Sequence, residues 1–409
     1  MNLKLSFSYS RSCVWAVVVV FCYDILINIV GIPVTLLIGD NSFDTMLVLG
    51  VTTLILIFAI GQKGRRLRYV FPLFVLLCVI FLLTRFLYPS NYSYMSADLS
   101  SILIAFLGYV IIRMVYDRKT VMEALYHTGH LSFIYAVLIV LVKIGVFNIP
   151  SANVSYMQFG YFVLPGAIIL HNKYNSEGKK IDIVLSVAAA LIILVFGSRG
   201  ALVSFFLYLI LYYIFIEKSS AKKMIIICTG AILVLLVFSN SYVQSFLINI
   251  TSRVFHYDSR SLILLIEGSS LNDSGRSVMS ESAISLIKEH WLLGMGPYAD
   301  RANIYFNTGD IVSTGYGHYT HNIFLEMCLS FGIPITLVVC GLFMKSVVFI
   351  LNNADDVERK LLLIITSLWI FELTFSGSFW TSHWFWGGIA IIIEICRRIR
   401  FDKWNEKEG

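Results

Sequence analysis

The chain has 409 residues and a formal net charge of +6; 58% of its residues are hydrophobic and only 14% are charged. Its mean hydropathy is +0.80. A soluble domain is about a quarter charged, so this composition excludes a single water-facing globule, because too few charged side chains exist to cover one. The apolar residues come in blocks as long as a bilayer is thick, so lipid must solvate most of the chain.

From the N-terminus, Lys4 and Arg11 precede an apolar run that reaches about Ile38 without a small-residue cleavage site. It reads as a retained first helix and not as a cleaved signal peptide. Only helices and closed barrels satisfy every backbone group in hydrocarbon, and these blocks are too long and uniform for barrel strands. Spans are expected near 14–38, 45–60, 69–88, 98–115, 124–147, 155–171, 181–197, 201–216, 224–239, 321–350, 360–379 and 384–396. The expected fold is therefore all-α, a polytopic membrane bundle of about twelve transmembrane helices. It divides into residues 1–239 with helices one to nine, a large outer loop at 240–320, and residues 321–409 with the last three helices and a tail.

The loops test this count. With both termini cytoplasmic, the inner segments collect Lys63, Arg65, Arg66 and Arg68, then Arg113, Arg118 and Lys119, and later Lys173, Lys179 and Lys180. The tail adds Arg397, Arg398, Arg400, Lys403 and Lys407. The short outer loops near 39–44, 89–97 and 148–154 hold no Lys or Arg. That asymmetry is what the positive-inside rule requires. It also accounts for the net charge, so nothing points to nucleic acid. The cysteines (Cys13, Cys22, Cys78, Cys228, Cys328, Cys340 and Cys396) sit in or beside apolar blocks without a CxxC pair, and read as buried small hydrophobes.

The segment 240–320 breaks the pattern of short connections. Asn272 and Asp273 can cap a helix from about Gly275 to Trp291, with Val278, Ile284, Ile287 and Trp291 expected along one face. The turn Gly294-Met295-Gly296-Pro297 ends it. Such a segment reads as a folded outer cap containing short helices.

Several residues could carry chemistry. Arg199 lies between two apolar helices joined by almost no loop; a guanidinium near lipid depth faces a cavity or partner, or else snorkels to the interface. Arg276 opens the cap helix, where free backbone donors and a planar fork suit phosphate, though a solvated surface arginine has the same pattern. Arg253, Arg260 and Arg301 are weaker versions of that case. His321 sits where the long loop re-enters the membrane and can accept a proton near neutral pH; a capping histidine is the plain alternative. His318 and His321 with Glu326 have the spacing of a shared metal site, but a helix turns Glu326 to another face, so no metal is expected. Asp24, Lys143, Glu326, Glu372, His383 and Glu394 are further ionisable groups within spans, as relays or as paired structural groups. Trp380, Trp384 and Trp386 read as an interfacial belt.

Three blocks then come in order. Gly197-Ser198-Arg199-Gly200-Ala201 opens a helix, Ser274-Gly275-Arg276 leads to Trp291-Leu292-Leu293-Gly294-Met295-Gly296, and His321-Asn322-Ile323-Phe324-Leu325-Glu326 precedes Phe331-Gly332-Ile333. Together they resemble the O-antigen ligase/polymerase superfamily over about residues 180–345. That resemblance implies a cofactor-free, metal-independent glycosyltransferase of lipopolysaccharide biosynthesis in a bacterial inner membrane, acting at the periplasmic face. Its substrate would be an oligosaccharide on undecaprenyl pyrophosphate, with membrane lipid and a chain-length regulator protein as further candidate partners. Arg199 and Arg276 would bind the pyrophosphate and stabilise its developing charge, and His321 would orient or deprotonate the attacking hydroxyl. Arg301 and His318 would be helpers in substrate binding. The polymerase branch is favoured by the His321–Glu326 and Trp291–Gly296 stretches, with the ligase that transfers glycan to lipid A–core as the alternative. A flippase for lipid-linked sugars fits the helix count but not the large cap. A polyprenol-phosphate-sugar transferase with Asp40 and Asp44 as acids ranks third, since they lack an adjacent acidic pair.

Overall fold

A computed structural model describes residues 9–38, 68–144, 146, 156–196, 198–217, 225, 229–230, 240–254, 276–308 and 320–408. The described residues form helices α1 (Tyr9–Phe21), α2 (Tyr23–Ile38), α3 (Phe71–Leu87), α4 (Pro89–Ala97), α5 (Leu99–Val115), α6 (Arg118–Lys143), α7 (Tyr156–Glu177) and α8 (Lys180–Val195). They continue with α9 (Arg199–Phe215), α10 (Ser241–Val254), α11 (Arg276–Glu289), α12 (Ala299–Thr308), α13 (Ile323–Asn353), α14 (Asp356–Phe375) and α15 (His383–Glu408). No strand occurs among the described residues. The expected span at 45–60 and nearly all of that at 224–239 lie outside them, as do Asp40, Asp44, Arg260, Asn272–Gly275 and His318.

Among the described residues, α6 and α13 are each long and apolar enough to cross a membrane. Two bent pairs bring the number to at most four: Arg11–Phe21 with Tyr23–Val30 at 85°, and Pro89–Ala97 with Leu99–Val115 at 71°. The first of these puts a sharp bend within the single span expected at 14–38. The break sets Asp24 in the first turn of α2, where a carboxylate meets the positive end of a helix. Large apolar side chains stand exposed on α3 (Phe71, Leu82, Phe86) and α13 (Leu337, Val338, Leu342), surfaces suited to lipid.

The chain forms two compact units. The first comprises Met1–Gly64, Met114–Leu271 and Asp355–Leu368. Here Asp117 caps α6 by accepting from Thr120 N (3.1 Å). Pro165 interrupts the hydrogen-bond ladder of α7, and Ser132 of α6 splices its hydroxyl into the gap. Gly166 N donates to Ser132 Oγ (3.0 Å), which donates on to Phe162 O (2.6 Å), so the backbone pair broken at the proline is satisfied from a neighbouring helix. A Cβ on Gly166 would stand 3.2 Å from Ser132 Oγ, so this close approach needs a small residue. Nearer the start of α7, Ser198 packs so tightly on Gly160 that a Cβ there would collide with it.

The second unit comprises Arg65–Arg113, Asn272–Ala354 and Trp369–Gly409. Its core joins α11, α12 and the start of α13 through Met279, Ala283, Leu286, Ile287, Ala299, Ile304 and Leu329. The expected face of α11 is corrected: Val278, Ile284 and Trp291 are exposed, while Met279, Ala283, Leu286 and Ile287 are buried. The buried set follows the i, i+4, i+7, i+8 spacing of one helical stripe, whereas Val278 and Ile284 lie well apart around the helix. The tryptophan belt is corrected too. Trp380 and Trp384 are buried, and Trp380 stacks among Phe331, Phe379 and Tyr298 with ring centroids 5.9, 4.7 and 6.1 Å away. Of the cysteines, Cys78 is exposed on α3 while Cys13, Cys22 and Cys396 are buried.

Helix α13 is bent at Gly332, whose φ of 80° and ψ of 165° leave the helical region two residues before Pro334. In a continuous helix Ile333 N would donate to Leu329 O. The bend separates that pair, and the turn after α11 takes both partners: Ile333 N donates to Trp291 O (2.8 Å) and Met295 N donates to Leu329 O (2.6 Å). Gly294 (φ 69°) faces the bend so closely that a Cβ would stand 2.6 Å from Leu329 O, and a Cβ on Gly332 would strike Leu292 O. The Trp291–Gly296 and Phe331–Ile333 motifs thus interlock through their main chains. Asn91 of α4 adds a bond from Nδ2 to Met295 O (2.8 Å).

Candidate functional site

Both helices that flank this interlocked turn carry charge into the interior of the second unit. Asp300 and Arg301 open α12, and Glu326 lies one turn into α13; all are buried. A buried charge is costly unless paired and hydrogen-bonded. Arg301 Nη1 lies 2.7 Å from both Asp300 oxygens and 2.6 Å from Glu326 Oε1, and its guanidinium stands 4.5 Å from the Tyr298 ring centroid. Burial works against the Arg301 charge, but Asp300 and then Glu326 more than offset it, so its proton is held more tightly than in water. Burial also raises the Tyr298 phenol well above its ordinary range, keeping it neutral.

The remaining lone pairs of the two carboxylates go to three main-chain N–H groups and one hydroxyl. Asp300 Oδ1 accepts from Arg301 N (3.0 Å) and Oδ2 from Thr320 N (3.2 Å). Glu326 Oε1 accepts from Ser378 Oγ (2.6 Å) and Oε2 from Phe379 N (3.2 Å). These anchors lie on either side of His321. Asn322 caps α13, its Oδ1 accepting from Phe324 N (2.9 Å) and Leu325 N (3.2 Å). His321, just before the cap, has a φ of 51°, a left-handed conformation uncommon outside glycine and worth notice at a functional site. Its Nδ1 lies 3.2 Å from Ser376 O. A carbonyl only accepts, so Nδ1 donates, and in the neutral ring Nε2 is the basic nitrogen.

The sequence-expected residues therefore divide. Arg301 and His321 share one network in the second unit, tied through Asp300 and Thr320. Arg276, the first residue of α11, is partly exposed in the same unit, on a helix that packs against α13. Arg199 is the first residue of α9 in the first unit. Arg253 is exposed at the end of α10. Asp300, Thr320, Ser376 and Ser378 were not anticipated. The available signal for the network was electrostatic: an Asp-Arg pair within an apolar turn, and a lone Glu326 in an apolar helix that needs a cation.

No curated protein and no solved structure matches the chain. Residues 184–340 match a family model described as O-antigen ligase. The matched stretch runs from α8 to the middle of α13 and contains Arg199, Arg276, Arg301, His321 and Glu326. The match falls on the part of the chain that holds the interlocked glycine motifs and the histidine at the head of α13, and it supports the O-antigen ligase/polymerase superfamily.

Proposed function

We propose that this protein is the polymerase of a surface polysaccharide. It is a metal-independent glycosyltransferase that joins undecaprenyl-pyrophosphate-linked oligosaccharide repeat units at the periplasmic face of a bacterial inner membrane. In this reading about twelve helices cross the membrane, both termini are cytoplasmic, and residues 240–320 form the outer cap, as the distribution of Lys and Arg among the loops favours. The family supports a membrane enzyme of O-antigen or glycan assembly with lipid-linked glycan substrates.

The observation that carries the assignment is the hydrogen bond from His321 Nδ1 to Ser376 O, which leaves Nε2 as the base. In the step, the acceptor hydroxyl oxygen bonds to the anomeric carbon of the donor sugar. The bond from that carbon to the pyrophosphate oxygen breaks, the pyrophosphate leaves with the electron pair, and Nε2 takes the hydroxyl proton. Arg276 and Arg199 stabilise the charge that builds on the leaving group. Arg199 enters from the sequence motif alone.

A second reading, the ligase that moves the finished glycan to lipid A–core, is favoured by the description of the matched model. Deleting the gene and separating the surface glycan on a gel distinguishes them. Core carrying a single repeat unit supports the polymerase. Bare core with long chains left on the lipid carrier supports the ligase and overturns the polymerase. Repeat units retained at the cytoplasmic face would point to a flippase.

A further inference from the structure

His321 is held in a conformation that its residue type disfavours, at a cost of about 1–3 kcal/mol, and its neighbours specify what holds it there. On the N-terminal side, Thr320 N donates to Asp300 Oδ2 (3.2 Å). On the ring side, Nδ1 meets Ser376 O (3.2 Å), and the chain just beyond is fastened to Glu326 through Ser378 Oγ (2.6 Å) and Phe379 N (3.2 Å). Arg301 links the two carboxylates that do this fastening. We propose that Asp300, Arg301 and Glu326 are positioning residues for His321, fixing the peptide before it and the carbonyl that orients its ring.

This inference rests on the reading of His321 as the base. It assigns Arg301 to geometry and not to the donor, and the two roles separate kinetically. A misplacement of about 1 Å costs on the order of a hundredfold in rate, whereas loss of a binding contact raises KM. At position 326, glutamine offers one acceptor oxygen and an NH2 group that only donates, so it cannot accept from Arg301, Ser378 and Phe379 together.

The test uses the full-length protein in lipid nanodiscs. The donor is the lipid-linked glycan extracted from a host deleted for the gene, and membranes of that host supply the acceptor. Glu326→Gln should lower kcat about tenfold or more with KM within about twofold. Ser378→Ala, which removes one hydroxyl, should lower kcat several-fold, and it decides the matter if Glu326→Gln does not fold. In a His321→Ala background Glu326→Gln should add less than about twofold, because the residue it positions is gone. Unchanged kcat in the folded single variants, a rise in KM at constant kcat, or an equal loss in both backgrounds overturns the positioning role. Full activity in His321→Ala overturns the base assignment itself, a separate result.

Discussion

Two ion clusters in the second unit use the same residue types in opposite proportion. Around Arg301, one guanidinium lies between two carboxylates, Asp300 and Glu326. Around Glu394, one carboxylate lies between two guanidiniums, Arg113 of α5 and Arg397 of α15, the latter 2.7 Å away. Spare carboxylate lone pairs in the first cluster hold backbone N–H groups on both sides of His321. Spare guanidinium faces in the second hold an aromatic ring: Arg113 and Arg397 stand 5.5 and 5.4 Å from the Tyr69 centroid. An excess of acceptors fixes peptide geometry around one residue; an excess of planar cations pins helices together. On the proposed reading, the first cluster serves chemistry and the second architecture.

The sharpest way to break that contrast is at the chemistry. His321→Ala and Arg276→Ala should each reduce glycan extension by about a hundredfold or more, with protein levels in the membrane unchanged on an immunoblot; Arg199→Ala should do the same. Next comes the architectural cluster. Glu394→Gln leaves Arg113 buried without its carboxylate and should destabilise by about 3–5 kcal/mol, read as less folded protein in detergent, while the activity per folded molecule stays near wild type. A smaller effect tests the interlocked turn. Gly332→Ala forces a side chain into a backbone region that only glycine adopts readily, costing about 1–3 kcal/mol from conformation alone, plus the collision with Leu292 O, and should lower the thermal midpoint. Asn322→Ala removes the cap of α13 and should cost about 1 kcal/mol, with some loss of rate because His321 precedes it. The smallest effect separates the two faces of α11: Val278→Thr should shift stability by no more than about 0.5 kcal/mol, whereas Leu286→Ala should cost about 2–5 kcal/mol.

How much of this was legible in the sequence depended on the length scale of the signal. Apolar blocks longer than a soluble helix announced α6 and α13, because hydropathy averages over many residues. The motif glycines were visible as a pattern, but their cause was not: Gly294 and Gly332 are small because two main chains distant in sequence exchange hydrogen bonds there. The buried stripe of α11 is present in the spacing of Met279, Ala283, Leu286 and Ile287, but the bulkier Val278, Ile284 and Trp291 outweigh it in apolar area. Tryptophans near helix ends suit either an interface or a core, and only packing against Phe331 and Tyr298 decides for Trp380. Glu326 stands out as a lone acid in an apolar helix, yet its partner Arg301 comes from a segment whose fold no local pattern fixes.

The most direct measurement compares glycan extension, normalised to folded protein, for His321→Ala and Glu394→Gln beside wild type. Loss by about two orders of magnitude in the first, with near-wild-type turnover in the second, is the outcome expected of a histidine base held by a carboxylate clamp. Normal extension by His321→Ala, or an equal collapse of both variants per folded molecule, would contradict it.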